Sequence, residues 1–299
     1  MKYSSILLFL LCTGSALASE AVDQTVSRLQ GYIRVNTVNP PGNESRGVEY
    51  LGQILSEAGV SYETAESAPG RGNLWARLEG GDEPSLILLH HIDVVPADAS
   101  YWDVDPLSGK IVDNYIYGRG ALDTKGLGIA QLQAFLTLHA SGKKLKRDVI
   151  LMATADEEAG GFYGAGWLLQ NRPELFEDVG FLINEGGSGV IFDDTPTFSI
   201  EVTQKVPLWL RLTATDVPGH GSAPRLTSSV KRILRAGDRI ANTRFERRLV
   251  PAVRDYFAAL APFQHGERQR LMADMSKAIE NEPFMLSLQS EEPWRAALL

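Results

Sequence analysis

Histidine and carboxylate residues stand at the ends of apolar runs in this chain, where they could bind a metal ion and activate water. His91 and Asp93 close the run Leu86-Ile87-Leu88-Leu89-His90-His91-Ile92-Asp93-Val94-Val95-Pro96. The aliphatic residues predict a buried strand, and Pro96 ends it because proline cannot donate to a ladder. Side chains alternate along a strand, so His91 and Asp93 share a side. A histidine with a carboxylate two residues on suits a metal ligand whose ring is oriented by a second group. Alone, the pair also reads as a paired core histidine. Acidic residues follow in similar settings. Asp123 lies in Tyr117-Gly118-Arg119-Gly120-Ala121-Leu122-Asp123-Thr124-Lys125-Gly126, between a short strand and a helix. Glu157 and Glu158 follow the apolar run 149–155 and precede Gly160-Gly161; alone, they read as a solvated turn. Glu185 follows Phe181-Leu182-Ile183 and precedes Gly186-Gly187. Sites in open α/β sheets form where strands reach their carboxyl edge. One histidine and four carboxylates at such ends are the parts of a two-metal hydrolytic site.

Alternating strand and helix patterns are expected to position these residues. Val22, Val26, Leu29 and Ile33 predict a helix over 21–33, and Asn39-Pro40-Pro41-Gly42 breaks the chain. Leu51, Ile54, Leu55 and Ala58 mark a second helix ending near Gly59. Short strands are expected at 61–64 and 73–78, followed by the central strand 86–95. Then come a helix over 126–140 closed by Ser141-Gly142, a strand over 149–155, a helix from 164, and a strand at 181–183. This alternation predicts an α/β domain with a mostly parallel central sheet. Near residue 200 the pattern changes. Leu208, Leu210 and Leu212 alternate with Trp209, Arg211 and Thr213, which predicts a strand with one buried face. A loop over 219–224 and a helix carrying Val230, Ile233, Leu234 and Ile240 follow. Residues 244–299 read as helices, with Val253, Phe257 and Leu260 on one stripe and Leu271 and Met275 on another.

A length of 299 residues suits two domains, and 44% hydrophobic with 22% charged residues is ordinary for a soluble globular protein. The formal net charge of −8 and the lack of a basic patch argue against nucleic acid as a partner. The cluster Lys143-Lys144-Leu145-Lys146-Arg147 reads as a solvated turn. Lys2, the apolar stretch 6–11 and Ala16-Leu17-Ala18 predict a signal peptide over residues 1–18, cut before Ser19, and hence a secreted or periplasmic protein. That apolar stretch is too short for a membrane span, and no other run is long enough. The alternative, a lipoprotein at Cys12, is opposed by Leu11, where a small residue normally stands. Cys12 is the one cysteine. After its removal no thiolate remains, so a metal site must use histidine and carboxylates, which favours zinc or a similar divalent ion.

Taken together, His91-x-Asp93-Val94-Val95-Pro96, Trp102, Asp105-Pro106, Gly118-Arg119-Gly120 with Asp123 and Lys125-Gly126, Glu157-Glu158 and Glu185-Gly186 resemble the co-catalytic zinc peptidases. That family includes aminoacylase, carboxypeptidase S, acetylornithine deacetylase and succinyl-diaminopimelate desuccinylase. Thr37-Val38-Asn39-Pro40-Pro41-Gly42 and Gly219-His220-Gly221-Ser222-Ala223-Pro224 are similar too, so the resemblance covers roughly residues 22–235. It implies a catalytic domain over 19–204 and a partial inserted α+β lid over 205–299, through which the complete protein forms a homodimer. It implies that His91, Asp123 and Glu185 bind one zinc, and that Asp123 bridges to a second zinc also held by Glu158. Asp93 would hold the other nitrogen of the His91 ring, and Glu157 would be the general base. His220 would reach across the dimer and donate to the substrate carbonyl oxygen; otherwise it is a surface histidine in a turn. The implied substrate is a small peptide or N-acyl amino acid, and the implied cofactor is a pair of Zn²⁺ ions, with Co²⁺ or Mn²⁺ as substitutes. The Asp123–Thr124 peptide is expected to be cis. The family's second zinc uses a late histidine, yet after Glu185 only His220 and His265 occur. The chain therefore reads as incomplete at its C-terminus, holding one tight zinc and weakly active by itself. The competing expectation is a catalytically inactive remnant or a metal-binding non-enzyme. His90 is expected to be structural, His139 to interact with a helix dipole, and His265 to be a solvated loop residue. Dinucleotide, Gly-x-Ser-x-Gly and His-Glu-x-x-His signatures do not occur.

Overall fold

Strands that are apolar on both faces need cover on both sides, and the first part of the chain builds a sheet between two helical layers. The computed structural model describes residues 22–291 other than 193, 203, 205–207, 224 and 244, so the expected signal peptide lies outside the described residues. Two compact units divide between Glu185 and Gly186, ahead of the domain boundary expected at residue 204.

The first unit begins with helix α1, residues 22–34, and helix α2, Ser45–Glu57. Strands β1, Tyr62–Glu66, β2, Gly72–Leu78, and β3, Glu83–His91, follow. A hairpin of β4, Lys110–Val112, and β5, Tyr115–Tyr117, precedes helix α3, Lys125–Ser141. Strand β6, Arg147–Thr154, helix α4, Ala165–Asn171, and strand β7, Val179–Ile183, complete the unit. The five-stranded sheet has the order β1-β2-β6-β3-β7. Its β6, β3 and β7 pairings are parallel, and β2 alone runs against the rest. His91 lies opposite Thr154 and Leu88 opposite Ile183, so the carboxyl ends of three parallel strands lie together. β3 stops at His91, shorter than the expected strand 86–95, although Val94 keeps a parallel bridge to Val38.

Alternation sorts the core. Leu74 and Ala76 of β2, with Val149, Leu151 and Ala153 of β6, face Leu51, Leu55, Ile129, Leu132 and Phe135 of α2 and α3. The residues between them, Trp75, Ile150 and Met152, face Leu168 and Leu175 on the other side. α2 begins at Ser45, well before its first apolar marker, and the β4–β5 hairpin stands where a single short strand was expected.

The second unit opens with an antiparallel hairpin of β8, Ser188–Phe192, and β9, Thr195–Ser199. Helix α5, Ser229–Ala241, is capped by the Ser228 hydroxyl, which accepts from the Lys231 N–H. Helices α6, Pro251–Leu260, α7, Gly266–Ala273, α8, Met275–Ala278, and α9, Glu282–Ser290, enclose a separate core of Phe257, Leu260, Met272, Met275, Met285 and Leu288. The strand expected at 208–213 is a correction: those residues form no strand, and Leu208, Trp209 and Leu210 are exposed. An alternating pattern becomes a strand only beside a partner ladder, and none of the described residues pairs with it. No helix among the described residues is long and apolar enough to cross a membrane.

Candidate metal centre

The end of β3 sets one histidine at the bottom of an acidic cluster. The His91 side chain is 2% exposed, whereas those of Asp123 and Glu157 are 61% and 52% exposed, so the carboxylates open to solvent above a buried imidazole. Nε2 of His91 lies 2.9 Å from Asp123 Oδ1, 3.8 Å from Glu185 Oε1 and 3.9 Å from Glu157 Oε2. Nδ1 points the other way, 2.9 Å from the Asp93 carbonyl and 3.5 Å from Asp93 Oδ1. A cavity of about 100 Å³ adjoins His91 and Glu157, bounded by Leu89, Thr154, Gly161 and Asn184.

Each carboxylate is delivered by a local device. Asp123 ends a tight turn in which Gly120 has φ +84° and a side chain there would meet Val94. The Asp123–Thr124 peptide is cis, in agreement with the expectation. Thr124 does not cap α3 with its hydroxyl, which donates to the His91 carbonyl instead. Lys125, fully buried, donates from Nζ to the carbonyls of Tyr32 and Val35 at 3.0 and 2.7 Å, tying the start of α3 to the end of α1. Glu157 and Glu158 lie in a 3₁₀ turn, Glu157–Ala159, between Asp156 at φ +70° and Gly160 at φ +109°. Asp93 fixes that turn: Oδ1 accepts from the Glu157 N–H at 3.1 Å and Oδ2 from the Glu158 N–H at 3.2 Å. Glu185 lies two residues beyond β7.

The electrostatics are dominated by negative charge around one buried imidazole. Burial works against charging His91, but its hydrogen bond to Asp93 and the charges of Asp93, Glu157 and Glu185 outweigh it and lift its pKa to about 9. Burial likewise opposes the Asp93 charge, yet hydrogen bonds from His91 and Asn39 hold its carboxyl below the usual range. Glu158 is pushed up by burial and by Asp123. Among the described residues, no lysine or arginine forms an ion pair with Asp123, Glu157 or Glu158. Two sets of three groups could each surround one ion: His91, Glu157 and Glu185, and His91, Asp123 and Glu158. Within each set the ligand atoms lie within 4.8 Å of one another. The structure thus gathers His91, Asp123, Glu157, Glu158 and Glu185, with Asp93 behind them. It also brings Glu157 Oε2 to 3.9 Å from His91 Nε2, against 3.8 Å for Glu185 Oε1.

The other histidines are placed elsewhere. His220 lies in the second unit on an exposed turn, with Nδ1 2.8 Å from the Ser222 hydroxyl. His90 is fully buried beside Tyr32 and Gly128, and burial with the nearby His91 lowers its pKa to about 3, in keeping with a structural role. His139 is in the last turn of α3, and His265 is exposed at the start of α7. The sequence reading missed Asn39, Glu44, Arg71 and Asp156, which are buried behind the centre. Asn39 stands in the stretch Thr37-Val38-Asn39-Pro40-Pro41-Gly42 and Asp156 directly before Glu157-Glu158, whereas Glu44 and Arg71 carry no such signal.

The family described as Peptidase family M20/M25/M40 matches residues 87–297. Pig (Sus scrofa) aminoacylase-1 is 34% identical over 207 residues, covering 68% of this chain and 50% of its own length. The "N-fatty-acyl-amino acid synthase/hydrolase PM20D1" of Xenopus tropicalis is 32% identical over 247 residues, covering 79% of this chain and 47% of its own. The chain thus spans about half the length of the curated relatives it matches. Among solved structures, the M20 family metallo-carboxypeptidase Sso-CP2 from Sulfolobus solfataricus has a TM-score of 0.48 at 24% identity, covering 54% of this chain and 37% of that one.

Proposed function

The chain belongs to peptidase family M20/M25/M40, and on that basis we propose that it supplies the metal centre of a zinc-dependent hydrolase acting on amide bonds in peptides or N-acyl amino acids. The observation that carries this reading is the cluster itself: one buried imidazole faces Asp123, Glu157 and Glu185 through Nε2 while Asp93 occupies Nδ1. The donor set fits zinc, being nitrogen and oxygen only, with a surplus of carboxylates that a divalent cation would neutralise. His91, Asp123 and Glu185 would hold one ion, and Asp123 and Glu158 the second. When bound, zinc lowers the pKa of water to about 7 and polarises the amide carbonyl. Asp93 keeps the His91 ring in the tautomer that directs its Nε2 lone pair into the cluster. Glu157 takes the proton from the attacking water and returns it to the leaving amine. Aminoacylase-1 and PM20D1 are named for acyl-amino-acid chemistry, which supports N-acyl amino acids as the first substrates to try.

In the same reading, residues 1–18 direct export, the protein works in a secreted or periplasmic setting, and His220 acts as oxyanion donor within a homodimer formed through the region 205–299. Hydrolysis of N-acyl amino acids and of dipeptides, assayed with and without chelator, tests the function. Chelator-sensitive release of the free amino acid is the expected result. Metal uptake by the protein that His91→Ala leaves unchanged would overturn the site.

A further inference from the structure

Behind the metal centre lies a buried charged cluster that metal binding does not use. Arg71, directly before β2, is 6% exposed; Glu44 is 0%, Asp156 3% and Asn39 6%. Three separate chain segments meet there. The Arg71 guanidinium pairs through Nη2 with Asp156 Oδ1, and also with Glu44 Oε1 at 3.2 Å. Through Nη1 it donates to Asn39 Oδ1 at 3.2 Å and to the Pro41 carbonyl at 2.7 Å. Asn39 then passes the contact on: its Nδ2 donates to Asp93 Oδ2 at 2.7 Å and to Asp156 Oδ1 at 3.3 Å.

The cluster reaches the candidate ligands along two routes. One runs from Arg71 through Asn39 to Asp93, which holds His91 and both N–H groups of the glutamate turn. The other runs from Arg71 to Asp156, whose backbone at φ +70° starts that turn. An aspartate tolerates this left-handed conformation but does not prefer it. Its side chain is held from both ends, with Oδ1 on Arg71 and Oδ2 accepting the Tyr163 N–H at 3.1 Å, while Glu44 Oε1 accepts the Asp156 N–H at 3.2 Å. The side chains of Arg71, Asn39 and Asp156 are thus each held by more than one partner.

Building on the metal-centre reading, we propose that Arg71, Asn39 and Asp156 are positioning residues: a buried strut that sets the direction of the His91 ring and the placement of Glu157 and Glu158. The planar guanidinium is the element the strut requires, because it bridges carboxylates, an amide and a carbonyl at once, which an ammonium cannot do.

Titration of the full chain with Co²⁺ tests the strut, because the visible absorption of bound Co²⁺ reports ligand geometry and chelator competition gives the affinity. Arg71→Gln and Asp156→Asn should each weaken Co²⁺ binding by about 10- to 100-fold and alter the absorption bands, the scale seen when groups behind metal ligands are removed. Asn keeps both the acceptor for Tyr163 N–H and the tolerance for positive φ, so its effect isolates the lost charge. Arg71→Lys should fail to restore the wild-type spectrum. Ile150→Val, in the core behind the sheet, should lower stability and leave both readouts unmoved. If Arg71→Gln does not fold, Asn39→Leu carries the test, since it severs the route to Asp93 and leaves the Arg71–Asp156 pair in place. Wild-type affinity and spectrum in the strut variants would overturn the strut alone. A wild-type chain that takes up no Co²⁺ would overturn the metal-centre reading and the strut with it.

Discussion

Both side-chain oxygens of Asp93 accept backbone N–H groups from the glutamate turn while the same residue faces His91 Nδ1. The candidate ligand and the proposed base are therefore both positioned by one residue, Asp93, through its main-chain carbonyl and its carboxylate, and their substitutions should differ in kind. His91→Ala should sharply lower the zinc content measured by elemental analysis. Glu157→Gln should keep metal near the wild-type level while kcat of an active form falls by ~10²–10⁴. Normal turnover in Glu157→Gln would remove it as the base. Glu44 offers a pH test at the same scale. Burial pushes its carboxyl up from 4.5 to about 7, with Asp93 adding to the shift and Arg71 opposing it. A folded-state pKa above the unfolded one means the proton favours the native state, so this contribution is full below pH 4.5 and fades as pH rises through about 7. The loss is on the order of 3 kcal/mol at most. Glu44→Gln should flatten the slope of urea midpoints across that window, and an unchanged slope would sink the assignment.

At the scale of elements, the layer of helices is brought against the sheet by residues without side chains. Gly128 of α3 sits on His90 of β3, where a Cβ would lie 2.4 Å from His90 Cδ2. Gly47 of α2 meets Ile92 in the same way, at 2.3 Å from Cγ2. Gly128→Ala should therefore force α3 away from β3 and cost ~1–3 kcal/mol. Gly237 of α5 is the counter-case, a mid-helix glycine with nothing within 4 Å of an added Cβ. Gly237→Ala should gain up to about 1 kcal/mol, because alanine loses less backbone entropy on entering a helix. Thermal melts of the two variants should move in opposite directions.

On the scale of the whole molecule, the candidate metal ligands and the helical core of α6–α9 belong to different compact units. Phe257→Ala, which empties a fully buried site in the second core, should cost ~3–5 kcal/mol in that unit. Co²⁺ affinity should be retained, because every candidate ligand precedes Gly186. Loss of metal binding in that variant would show that the two units fold as one.

The sequence by itself singled out the candidate ligands and the order of elements that carry them, because strand and helix periodicities are local and the candidates stand near the ends of apolar runs. His91, Asp123, Glu157, Glu158 and Glu185 needed no structure to be singled out, nor did the mostly parallel sheet whose carboxyl ends hold them. What lay behind them was decided by tertiary structure. Arg71 meets Asp156 across 85 positions of chain, and Asn39 meets Asp93 across 54, separations at which no pattern of spacing links the partners. The same limit explains the misread strand at 208–213 and the exposure of Phe181, Leu182 and Ile183 in edge strand β7. Alternation and apolar runs state what a segment would bury, whereas the presence of a neighbour to bury it against depends on the fold.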